Sequence, residues 1–168
     1  MRSLIRRELN LIIQDEEPED DTTSYNYYET YEPLPYCVDN EVIHTRIWNY
    51  KGINCCICSS PFCSSFNGYV RLPDNHPFVN LSYEEITSIS IHGGLTYSEK
   101  QWIGFDTAHS GDCWPEELLV KYNIDDYFLK DILRFNEINR SVQWSTEWTI
   151  ELLIKEVDRL AQQVIDTM

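Results

Sequence analysis

The sequence predicts an α+β fold, an antiparallel sheet of about four to six strands covered by C-terminal helices. Short runs of β-branched and aromatic residues between turn signals occupy the first two thirds of the chain, and helix-period patterns occupy the last third. A segment alternating apolar with polar residues, from Ile89 to Asp106, reads as a hairpin in the middle of the sheet. With 168 residues, 42% of them hydrophobic, the chain is long enough for one domain with a core of its own.

Residues 1–36 read as an N-terminal helix and an acidic extended segment, and residues 37–168 as a single α+β domain. Leu4, Ile5, Leu9 and Ile12 stand near helical spacing. Six acids then fall within seven residues from Asp15 to Asp21, and a Thr/Tyr/Pro-rich stretch runs to Pro35, its tyrosines able to lie against the body. Val42 to Trp48, Ile53 to Ser59 and Gly68 to Leu72 are the expected strands. Ser82 and Glu85 have capping-box spacing, which predicts one or two helical turns over Ser82 to Thr87.

The hairpin is placed with its turn at Ser98-Glu99-Lys100. That pairs Tyr97 with Gln101, Leu95 with Ile103, Gly93 with Phe105 and His92 with Asp106. Ile89, Ile91, Leu95, Tyr97, Ile103 and Phe105 then share a core face, and His92, Gly94, Thr96, Trp102, Gly104 and Asp106 the other. Beyond it, Trp114-Pro115-Glu116-Glu117 starts a helix, and apolar residues at 124, 128, 132 and 135 predict a second. The last helix is the clearest: Ser145 caps it, and Trp148, Leu152, Val157, Leu160 and Val164 recur near a 3.6 period.

A net charge of −15, with thirteen scattered Lys and Arg, opposes direct binding to a nucleic-acid backbone. No apolar run approaches the ~18 residues that span a bilayer, and the amino terminus lacks a secretory pattern, so a cytosolic protein with no membrane partner is expected. In a reducing compartment the six cysteines are expected to be free thiols. Cys55-x-x-Cys58 with Cys63 has metal-ligand spacing, but a strand through residues 53–59 sends Cys55 to the face opposite Cys56 and Cys58, and buried thiols are the simpler reading.

The chemistry-bearing residues concentrate between His92 and Asp112, which hold two of the four histidines and four of the six glycines. His92 opposite Asp106, with His109 and Asp112 just beyond the strand, brings up to four polar groups to one end. Such a set suits acid/base work or a metal such as zinc, manganese or non-haem iron. The plainer reading is an exposed cross-strand pair with glycines serving turns. Arg71, alternating with Val70 and Leu72, suits an inward anion clamp or a solvent-facing strand position. No nucleophile elbow, phosphate loop or dinucleotide fingerprint is present.

Asn67 to Val70 near His76-Pro77, then His92 to Ser98, Gly104 to Asp112 and Leu160-Ala161-Gln162, together resemble a family of small, acidic bacteriophage-encoded hypothetical proteins, over roughly residues 50 to 165. The cysteine cluster and the acidic N-terminal extension fall outside the resemblance. It implies a phage accessory protein opposing host defence in the cytoplasm of the infected cell. Sequestration of a nucleotide-derived immune signal, ADP-ribose-like or a cyclic nucleotide, would suffice without cleavage. Stacking would come from Trp102 and Tyr97, anion clamping from Arg71, and ribose contacts from Asp106 with His92. Gly93, Gly94, Thr96, His109 and Asp112 complete the expected site. No residue is assigned a catalytic or metal-ligating role, no cofactor is expected, and homo-oligomerisation stays open. The alternatives are a metal-assisted hydrolase of a nucleotide-like substrate and an acidic inhibitor that binds a host defence complex.

Overall fold

The computed structural model describes residues 45–60, 65–122 and 126–168. The expected N-terminal helix, the acidic segment, the boundary at residue 36, Cys37 and Cys63 lie outside them. Five strands, β1 (Thr45–Tyr50), β2 (Ile53–Ser60), β3 (Ser65–Arg71), β4 (Tyr97–Glu99) and β5 (Trp102–Phe105), form an antiparallel sheet in the order β1-β2-β3-β5-β4. After it come β6 (Asp112–Cys113), α1 (Glu116–Tyr122), α2 (Asp126–Arg140), β7 (Thr146–Glu147) and α3 (Ile150–Asp166), with β6 and β7 pairing in parallel. The fold is α+β, and α3 lies across β2 and β3.

Alternation along the strands sorts the interior into two layers. Ile53, Cys55 and Ile57 of β2, Phe66 and Val70 of β3, and Ile103 and Phe105 of β5 meet Leu153, Val157, Leu160, Ala161 and Val164 of α3 in the main core. On the opposite face Cys56, Cys58, Tyr69 and Trp102 form a second buried cluster, with Tyr97 packed against it. The Tyr69 ring lies over Gly104, where an added Cβ would meet Tyr69 Cδ1 at 2.3 Å and the Gly68 carbonyl at 2.5 Å. The absent side chain of Gly104 thus leaves no open space above the sheet, because an aromatic ring fills it.

The hairpin register differs from the expected one. Tyr97 pairs with Gly104, Ser98 with Ile103 and Glu99 with Trp102, a shift of three residues that leaves Lys100-Gln101 as the turn. An odd shift moves a side chain to the other face, so Tyr97 leaves the core for the second cluster. Residues 91–96 are not a strand, because Gly93 and Gly94 take φ of 64° and 86°, which an extended chain does not accommodate. The capping box is present but encloses a single turn: Ser82 N–H and Oγ each donate to Glu85 Oε2 at 2.8 Å.

The final helix starts later than expected. Thr149, not Ser145, is its cap, accepting from Leu152 N at 3.1 Å, because Thr146 and Glu147 are drawn into pairing with β6. Leu153 is buried in place of Leu152. Trp48 Nε1 donates to Asp158 Oδ1 at 2.8 Å, tying α3 to β1. At the far end His76 Nε2 meets the Val164 carbonyl at 3.0 Å while its Nδ1 accepts from Phe78 N, so His76 binds the last turn of α3 in its Nε2-protonated form.

α2 packs Ile132 and Leu133 against the main core and is also held by buried polar contacts. Buried Asn136 accepts from Trp114 N (2.9 Å) and donates to Trp114 O (2.8 Å), and Asn139 donates to Asp112 O (2.9 Å). These bonds fix the backbone of β6 and of the residue that follows it, and with them the direction of Asp112. Cys55 and Cys56 are free buried thiols on opposite faces, their pKa values raised by burial. Cys58 is disulfide-bonded, so the expectation of free thiols fails there.

Candidate functional site

Asp112 is the centre of the polar site. Its side chain is only 2% exposed, and it accepts from Trp148 Nε1 (2.9 Å), from His109 N (2.9 Å) and from His92 Nε2, which stands 3.0 Å from each carboxylate oxygen. Burial alone would raise its pKa, but these hydrogen bonds outweigh it and hold the carboxyl below its ordinary value. The hydrogen bond to Asp112 in turn raises the pKa of His92, against the opposing effect of its own burial.

His92 therefore pairs with Asp112 and not with Asp106. Its ring packs edge-on against Trp148 (4.9 Å between centroids) and His109 (5.4 Å), and its backbone N–H donates to Glu156 of α3 at 2.9 Å. His109 is brought in by Gly93. A Cβ on that glycine would stand 2.1 Å from His109 Cε1, so only a glycine admits the ring. His109 Nδ1 lies 3.4 Å from Asp112 Oδ2 and 3.7 Å from Asp106 Oδ1, yet it is buried without a hydrogen-bond partner. The first contact lacks the alignment a hydrogen bond requires and the second is too long for one, and such an orphaned atom costs about 1–3 kcal/mol.

Asp106 belongs to the rim. Its Oδ1 accepts from Ala108 N at 3.0 Å, and Thr96 supports it from below by accepting from Asp106 N at 3.1 Å. Gly94 lies in the turn with nothing within 4 Å of an added Cβ. His92, Gly93, Asp106, His109 and Asp112 thus gather as expected at one end of β5, with Thr96 and Gly94 beside them.

Arg71, Tyr97 and Trp102 do not join them. Arg71 is in register with Trp102, three residues before the end of β5 and roughly 10 Å of strand away. It bonds to Gln101 and stands 3.6 Å from Asp74, because the short β4–β5 turn brings Gln101 across to it. Tyr97 and Trp102 are packed in the cluster on the opposite face.

An aromatic group absent from the sequence reading stands next to the site. Trp144 is 70% exposed, and its indole covers Gly111, where an added Cβ would meet Trp144 Cδ1 at 3.1 Å. The chain is anchored there by Thr146 N–H donating to Gly111 O at 2.8 Å. Trp148 and Glu156 were likewise missed as site residues: helical periodicity marks them as core and surface and carries no sign of their bonds to Asp112 and His92. Set against family models, curated proteins and solved structures, the chain matches none.

Proposed function

We propose that this is a phage accessory protein that captures a nucleotide-derived host immune signal, ADP-ribose-like or a cyclic nucleotide, and holds it intact in the cytoplasm of the infected cell. The observation supporting this reading is the gathering of two imidazoles and two carboxylates around a glycine turn, with the exposed indole of Trp144 alongside. Imidazole and carboxylate are partners for ribose hydroxyls and base edges, and an exposed indole stacks on a planar base. Trp144 thereby takes the role that the sequence reading gave to Trp102 and Tyr97.

The test incubates cyclic nucleotide and cyclic ADP-ribose probes with excess protein, removes free probe, heats the protein and analyses the supernatant by chromatography. Capture returns the probe unchanged, and Trp144→Ala weakens retention by about 1–3 kcal/mol, the worth of one base–aromatic stack. A new product formed over many turnovers per protein would refute capture.

That outcome is the metal-assisted hydrolase, a second reading favoured by the unpartnered His109 Nδ1. Failure to retain or convert any probe would refute both and direct attention to a protein partner for the acidic surface.

A further inference from the structure

We propose that His92, His109 and Asp112 hold one divalent transition-metal ion. Each offers a donor atom, and the three atoms lie within 4.8 Å of one another, close enough to converge on a single ion. Two imidazoles and a carboxylate are a donor set for zinc, cobalt, manganese or iron. The protein also supplies the supporting shell of such a centre. Trp148 Nε1 fixes one carboxylate oxygen, His109 N–H the other, and Glu156 anchors the His92 backbone.

Two independent observations point the same way. His109 Nδ1 is a buried ring nitrogen with no hydrogen-bond partner, beside the Asp112 carboxylate. Gly93 has no side chain where one would displace that ring, so the local backbone is shaped to admit it. Exposure is graded across the cluster, 2% at Asp112 but 26% at His92 and 36% at His109. A metal seated there has protein behind it and open coordination positions towards solvent, the arrangement of a site that takes an exogenous ligand.

The ion also resolves a problem of charge. The chain carries a net charge of −15, two carboxylates sit in the site, and Arg71 is engaged at the other end of β5. A phosphate-bearing ligand needs a cation in such a place, and a divalent ion supplies it. The metal site deepens the capture reading but does not require it.

The experiment uses full-length protein without a histidine tag, stripped by chelator and dialysed, with no nucleotide present. Zn²⁺ and Mn²⁺ are titrated calorimetrically and Co²⁺ by visible absorption. One equivalent is expected to bind, with Co²⁺ d–d bands of nitrogen/oxygen coordination. His109→Ala, a change at a partly exposed ring, is expected to lower affinity at least about 100-fold, and Asp74→Asn at the opposite end of β5 to leave it unchanged. Circular dichroism of His109→Ala checks that the fold persists; should it not, His109→Gln replaces it. No uptake of any of the three ions, or uptake that survives loss of the His109 imidazole, would overturn the proposal. Because no nucleotide is used, a failed titration leaves capture standing, and failed capture leaves the metal site standing.

Discussion

Alanine at Gly93 and at Gly94 makes a matched pair of perturbations that reads the construction of the site directly. Both glycines have positive φ, 64° and 86°, so a side chain at either carries a backbone cost of about 1–2 kcal/mol. Their surroundings differ completely. The Gly94 Cβ would meet nothing within 4 Å, whereas the Gly93 Cβ would stand 2.1, 2.4 and 2.7 Å from His109 Cε1, Nε2 and Nδ1. No small adjustment clears a ring at those distances, so His109 must rotate out. Gly94→Ala should lose about 1–2 kcal/mol with the histidines in place. Gly93→Ala should lose that backbone term and in addition displace the ring. Urea denaturation measures the first quantity. Two-dimensional NMR of the imidazole resonances, which report the 5.4 Å edge-to-face contact between His92 and His109, measures the second. Equal destabilisation by the two variants with unmoved His109 resonances in both would refute the close approach and the site built on it.

Asp158 is raised in pKa by burial, only partly offset by the hydrogen bond from Trp48. The folded state therefore holds that proton more tightly than the unfolded chain, and stability is lost as pH rises from about the ordinary value of 3.8 through the folded one. Asp158→Asn keeps an acceptor for Trp48 Nε1 and removes the buried charge, so its advantage in melting temperature over the parent should be absent at low pH and grow across that window; a constant difference would contradict the assignment. Thr107 Oγ1 donates to Phe66 O (2.7 Å) and accepts from Trp114 Nε1 (3.0 Å) in the core, so Thr107→Val should cost about 1–3 kcal/mol for each group left unpaired, read from the urea midpoint. Lys100 takes φ 56° in the β4–β5 turn, and Lys100→Gly should stabilise by about 0.5–1 kcal/mol, with no gain if the turn is placed elsewhere.

Much of the fold was legible because it is written in local periodicity. The alternation of β2 and β5 separates the residues facing α3 from those facing away, and the 3.6-residue pattern of α3 marks Val157, Leu160 and Val164 without reference to any partner. Of the site, the congregation of His92, Asp106, His109 and Asp112 was legible because three of them lie within seven residues after β5, and the glycines before them announce a turn.

The pairings inside the site were not legible. A hairpin's register follows from its turn, and Lys100-Gln101 is no stronger a turn signal than Ser98-Glu99-Lys100; the three-residue shift that results removes Tyr97 from the core. His92 meets Asp112 across twenty residues, and Asp112 is oriented by Trp148 across another thirty-six, through a parallel β6–β7 pair that has no local signature. Local periodicity decided the main strands and helices and most of the core of β2, β5 and α3, since each depends on neighbours a few positions away; it failed at residues 91–96, at Tyr97 and at Leu152, where a turn or a tertiary pairing overrides the local pattern. Which imidazole faces which carboxylate, which tryptophan remains exposed and which arginine is engaged elsewhere were decided only when distant segments packed, because hydrogen bonds are short and directional and their partners are chosen by tertiary contact.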